Sequence, residues 1–403
     1  MNEASRMGRR RFLRPPPRLG VAEFRARTAH RSQRSLGECA RDSLVSSLSR
    51  FRDVFAVPPF ATKLDDLHKD FSNLGIWTPK ETEPEYLIHG SYLGNRRKIN
   101  LILGLTNLNR KELVWSTRIT IDRDELELID QKIANECVAP IVLYLQRYEE
   151  DSWSWVQHSK EERLFRTAQA LMSRRTLKTL HHARRLLVGI IKRCGDIGDV
   201  YVALARAEQS HGLLLAGERF VEALERGRIY AKKAIELDDL NARAYAELAL
   251  QELFLKRYPE AAAAYRRALD LNPYDPLLWA DWGECLALMG NALEALPILQ
   301  QAATGWPRDK TWVEWNLCDA EWALGQPERI IEILADQPDL PHVHRYLAAS
   351  YAKLGQMIKA RRHADRVRHH QPNFSAREWA RVVPWRDADI AEDYADCLAK
   401  AGL

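Results

Sequence analysis

Two groups of residues in this 403-residue chain have types and spacings that could do chemistry. Histidine comes in close pairs: His181 with His182, His342 with His344, and His369 with His370. Imidazole is a common metal ligand, and a helix holds an ion through His at i and i+4, where both rings share a face. Adjacent or alternate His point apart, so these pairs are expected at the surface or at helix ends, holding no metal. Tryptophan is the second group. Six of the twelve Trp fall between 279 and 322, at 279, 282, 306, 312, 315 and 322. A large rigid ring gives much contact area at little entropic cost, which is why Trp anchors protein interfaces.

Other reactive constellations are missing. The sequence has no phosphate-cradling GxxxxGK(S/T), no GxGxxG, no HExxH and no GxSxG. Its six Cys (39, 137, 194, 285, 318, 397) are far apart, with no CxxC, and read as reduced thiols of a cytoplasmic protein. No catalytic residue and no cofactor are expected.

Charge is unevenly spread. The net charge is +5, yet residues 1–52 hold thirteen Arg against four acids, a balance of +9, so the rest carries −4. An Arg-rich end neutralises phosphates, and weak, non-specific, salt-sensitive contact with nucleic acid is expected of it. The Arg9-Arg10-Arg11 run is not expected to direct export, because Pro15-Pro16-Pro17 stands where an apolar segment is required. The longest apolar run, Cys137 to Leu145, contains Pro140 and falls short of the ~18 residues that cross a bilayer, so no membrane insertion is expected.

The elements that must position these residues fall into three segments. Residues 1–18 combine Arg and Pro and read as a disordered lead. Residues 19–150 read as an α+β domain: a strand at 19–24, a helix from Ser35 to Phe51 with Leu36, Ala40, Leu44, Leu48 and Phe51 on one face, a strand at 53–57, and a short helix around 64–74. An antiparallel meander follows at 85–93, 98–105 and 112–121, then an amphipathic helix from Asp124 to Gln146. In the last strand Leu113, Trp115, Thr117, Ile119 and Ile121 are expected on one face. The acidic run Glu149-Glu150-Asp151, before Trp153 and Trp155, is expected to be a hinge.

Residues 151–403 read as an all-α solenoid. Ala234, Ala268 and Ala302 are 34 apart, and Asp239, Pro273 and Pro307 keep the same register. Thirty-four residues is the period of the tetratricopeptide repeat, two antiparallel helices per unit. Full units are expected at 242–275, 276–309 and 341–374, a compressed one at about 311–340, degenerate pairs at 163–197 and 199–241, and a solvated capping helix from Ile390 to Leu403. Trp279 and Trp282 fall at packing positions. Trp312, Trp315 and Trp322 fall on the first helix of the compressed unit, which lines the inner groove, beside Asp319. There they would anchor a partner that Asp319, Arg345 and Lys353 orient.

The run Glu85-Tyr86-Leu87-Ile88-His89-Gly90-Ser91-Tyr92, with Lys98-Ile99-Asn100-Leu101 and Leu113-Val114-Trp115-Ser116, resembles the second half of the TolB-like amino-terminal module. The ending Lys400-Ala401-Gly402-Leu403 is similar to how such chains stop. The resemblance covers roughly 19–403. It implies a bacterial protein in which this module precedes tetratricopeptide repeats, as in regions C-terminal to class III adenylate cyclase domains and to the winged helices of invasion-gene-activator-type regulators. The function it implies is a non-enzymatic regulatory or scaffold protein that binds a protein or peptide in the repeat groove. The alternatives are the detached regulatory half of a cyclase and a DNA-associated regulator using the basic N-terminus. Residues 1–18 are too short to hold either effector domain.

Overall fold

The computed structural model describes residues 18–51, 84–145 and 159–403, less 23, 28–33, 95–96, 109, 123–131, 143, 175, 216–217, 306–309 and 338. The lead before Arg18, the strand expected at 53–57, the helix around 64–74, the hinge at 149–151 with its two Trp, and Trp306 lie outside them. Contacts divide the chain into two units, with the boundary at residues 156 and 157.

The first unit is built on one mixed sheet. Its strands are β1 (Leu19–Val21), β2 (Arg25–Ala26), β3 (Tyr86–Gly94), β4 (Lys98–Asn107) and β5 (Glu112–Asp122), in the order β1-β3-β4-β5, with β2 also beside β3. β1 and β2 run parallel to β3, while β3, β4 and β5 form the antiparallel meander. Alternation along β4 puts Ile99, Leu101, Leu103 and Leu105 on one buried face, opposite Ile119 and Ile121 of β5. Helix α1 (Arg34–Leu48) contributes a second buried stripe of Ala40, Leu44 and Leu48. The late helical stretch, which carries a π-turn at Ala134–Val138, adds Ile133, Cys137, Ile141 and Leu145.

The face expected for β5 needs one correction. A bulge beside Leu105 and Thr106 pairs Trp115 with Leu105 but Leu113 with Thr106. The extra residue, Val114, reverses the alternation, so Leu113 turns to the opposite face, over Gly104 and beside His89, and is 61% exposed.

The second unit is a run of helix pairs. They are α2 (Lys160–Ser173) with α3 (Leu177–Cys194), α4 (Gly198–Leu215) with α5 (Glu218–Leu237), α6 (Ala242–Phe254) with α7 (Tyr258–Leu271), and α8 (Pro276–Leu288) with α9 (Ala292–Gly305). Then come α10 (Lys310–Ala323) with the short α11 (Pro327–Ile333), α12 (Pro341–Lys353) with α13 (Met357–His370), and two closing helices, α14 (Ala376–Val382) and α15 (Ala388–Ala401). Here the first helix of a pair is called the A-helix and the second the B-helix.

Local chemistry sets the period. Asn241, Asp275 and Ser375 cap α6, α8 and α14 with side-chain oxygens. The A-to-B turns need a left-handed residue: Gly290, Gly325 and Gly355 supply it, and in the 242–275 unit Lys256 takes that place at φ 59°. At Gly283 the helices of a pair come so close that a Cβ would meet Leu299 Cγ at 2.6 Å. One core runs from Phe220 to Ala401, and a smaller one holds the first pairs through Phe165, Leu187 and Leu204.

Candidate partner-binding face

Successive A-helices meet along one face, and a chain of polar and aromatic contacts runs across it. Arg206 of α4 donates from Nε to Glu247 Oε1 on α6 at 2.7 Å and lies 3.6 Å from Asp281 Oδ2 on α8. Its guanidinium also sits over the Trp312 ring, 5.4 Å from the centroid. Trp312 Nε1 donates to Asp281 Oδ1 at 2.7 Å, so the indole is held on both its edge and its face. Trp315, one turn on, packs 5.8 Å from Trp312 and stacks on His342 of α12 at 4.4 Å. Trp312 and Trp315 are both half-buried.

Four positions expected to face a partner are differently placed. Trp322 is 3% exposed, edge-on to Tyr394 of α15 at 4.9 Å. It is core and not a groove anchor. Tyr394 is the centre of an aromatic cluster with Tyr346 and Trp385, each 5.3 Å away. Asp319 and Arg345 are buried as well. Asp319 accepts the Tyr346 hydroxyl proton, and burial pushes its carboxyl up to about 7 against the opposing pull of Tyr346, Trp315 and Arg345. Arg345 lies 3.9 Å over the Trp379 ring and donates to Gln371 Oε1 at 2.9 Å. Lys353, at the end of α12, is partly exposed but committed to Asp393 at 2.5 Å and to the Trp322 ring. Both residues hold the fold.

The reason is a feature that the repeat pattern did not reveal. The chain's own C-terminal segment lies across the A-helices of the last units. Between α14 and α15, Arg386 N donates to Leu288 O at the end of α8 at 2.8 Å, and Tyr258 Oη, at the start of α7, donates to Pro384 O at 3.2 Å. Helix α15 then packs against α12 and buries Tyr394, Cys397, Leu398 and Ala401. The capping helix is therefore half-buried, not simply solvated. A cavity of about 20 Å3, enough for one water, remains beneath it between Trp315, Asp319, Trp379, Pro384 and Tyr394.

Two further expectations are corrected. Trp279 is 37% exposed and donates from Nε1 to Pro273 O at 2.7 Å, whereas Trp282 is buried against Tyr265 as expected. His342 and His344 point apart as expected, to Trp315 and to Asp339, but His342 is buried and not at the surface.

No protein-family model matches the chain, and no curated protein sequence does. Among solved structures it is similar to Pseudomonas aeruginosa PilF, at 23% identity over 51% of this chain and 88% of that chain, with a TM-score of 0.35. It is similar to PilW, a type IV pilus biogenesis factor, at 18% identity over 51% and 90%, with a TM-score of 0.37. It is also similar to YrrB, described as a TPR protein with an unusual peptide-binding site, at 21% identity over 46% and 93%, with a TM-score of 0.29. The helix pairs themselves, with their period, turns and shared core, carry the assignment of a tetratricopeptide-type solenoid. Among the described residues no helix is long and apolar enough to cross a membrane.

Proposed function

We propose that this chain is a non-enzymatic regulatory or scaffold protein that binds a protein or peptide on the A-helix face that its C-terminal segment leaves open. Trp312 and Trp315 are the anchors. One observation carries this: two half-buried indoles sit side by side in a rigid polar frame made by Arg206, Asp281, His342 and Arg345. Rings fixed before binding lose little entropy on contact, and apolar side chains of an extended or helical segment can lie against them. Control of transcription or signalling, the link to class III adenylate cyclases, cytoplasmic residence, and weak nucleic-acid contact through the Arg-rich N-terminus rest on the sequence alone.

The test is a random peptide library selected on the full chain, with the enriched peptides measured by calorimetry. Trp312→Ala and Trp315→Ala should each weaken binding by about 30-fold or more, which corresponds to about 2 kcal/mol, while Trp279→Ala leaves it unchanged. Peptides that bind both anchor variants as well as the parent chain would show that the surface lies elsewhere.

A further inference from the structure

Three side chains from separate elements converge beside the last complete helix pair. Asp339 lies in the connection between α11 and α12 and is half-exposed. His344, in the first turns of α12, points Nε2 at Asp339 Oδ1 from 2.6 Å, and His370, the last residue of α13, points Nε2 at the same oxygen from 3.0 Å. The three donor atoms all lie within 4.8 Å of one another, and the two rings are nearly parallel at 11°. Arg366 holds the carboxylate from its other side, pairing with Oδ2 and reaching Oδ1 from Nε at 3.2 Å. A third imidazole stands behind the first: His363 Nδ1 is 2.9 Å from His344 Nδ1 and its ring stacks on Tyr351.

This is a two-imidazole, one-carboxylate donor set. Such a borderline nitrogen and oxygen set suits zinc and its neighbours among the divalent transition metals, and not calcium or magnesium, which take mostly oxygen. Metal–ligand bonds of about 2.0–2.1 Å place tetrahedral donor atoms roughly 3.3 Å apart, so the two contacts to Asp339 Oδ1, at 2.6 and 3.0 Å, have to open by less than ~1 Å. His363 supplies what a metal-bound imidazole needs behind it, an acceptor for the Nδ1 proton that fixes tautomer and ring orientation. The His344 and His370 side chains are 13% and 27% exposed, so an ion could enter from solvent and keep coordination positions open.

We propose that Asp339, His344 and His370 bind one divalent transition-metal ion of the zinc class, with His363 as a positioning residue for His344. The ion ties the connection before α12 to the end of α13, and so clamps the last complete helix pair.

The probe is Co2+ and then Zn2+, titrated into untagged, chelator-treated full chain by d–d absorption and calorimetry. One equivalent should bind and raise the melting temperature. His370→Ala and Asp339→Asn should abolish the cobalt spectrum. His363→Ala should weaken binding by about 10–100-fold, and His369→Ala should change nothing. His370 is partly exposed at a helix end, so its variant should keep the parent helical signal. An untagged chain that binds no metal saturably overturns the site, as does metal binding that survives His370→Ala and Asp339→Asn unchanged.

Discussion

Replacing Trp322 by Ala separates a core indole from an anchoring one. Its ring is 3% exposed, meets Tyr394 edge-on at 4.9 Å, and carries the Lys353 ammonium 5.0 Å from its centroid. Truncating a fully buried Trp removes its transfer energy and leaves a cavity, together about 3–5 kcal/mol. The gap opens under α15, so loss of the Tyr394 contact places the effect at the upper end. Trp312→Ala differs in kind. That ring is half-buried, and its removal takes away about one hydrogen bond and part of one buried surface, roughly 1–2 kcal/mol in all. Asp281 keeps Arg206 as a partner, so no charge is stranded. Urea unfolding followed by far-ultraviolet circular dichroism should show a large drop in midpoint for Trp322→Ala and a small one for Trp312→Ala. Equal drops, or a Trp322→Ala midpoint within ~1 kcal/mol of the parent, would refute the assignment of Trp322 to the core.

Asp319 gives a pH signature. Its carboxyl rises from 3.8 to about 7 in the fold, so the folded chain holds a proton that the unfolded chain has released. The stabilisation from this group is complete below the unfolded value and is lost as pH rises through about 7. Asp319→Asn should therefore gain on the parent by a few kcal/mol between about pH 5 and 8; a pH-independent gap between their urea midpoints contradicts this. Gly283→Ala should cost about 1–3 kcal/mol, because the new methyl meets Leu299 within the helix pair, and a neutral melting temperature would argue against that packing. Lys256→Gly should raise stability by about 1 kcal/mol by relieving a left-handed backbone, read from the same urea curves, and a loss would show that the turn is not strained.

Much of the architecture is legible in the sequence because it follows from periodicity. The 34-residue spacing of Ala234, Ala268 and Ala302 locates helix pairs whose observed bounds, 242–271, 276–305 and 341–370, fall inside the expected units. The meander is equally plain from alternation and turns. Periodicity misses events of a single residue: the bulge at Val114 carries no glycine to mark it, yet it moves Leu113 to the other face. It also treats every A-helix as equally open. Trp322 looks like Trp315 in the pattern, seven residues on along the same helix, and only the fold-back of α15 distinguishes them. A signal for that fold-back was present in Val383-Pro384, which stops a seven-residue helix where a full A-helix was due. The Asp339, His344 and His370 cluster was illegible for a different reason. Its members come from a connection and two helices, and no local spacing joins them.

Hydroxyl-radical footprinting, read at single tryptophans by mass spectrometry, tests the central claim most directly. The indoles of Trp312 and Trp315 should oxidise well ahead of Trp322, which α15 covers, and a selected peptide at saturation should protect the first two and leave Trp322 unchanged. Oxidation of Trp322 as fast as Trp312, or peptide protection centred away from Trp312 and Trp315, would contradict the account.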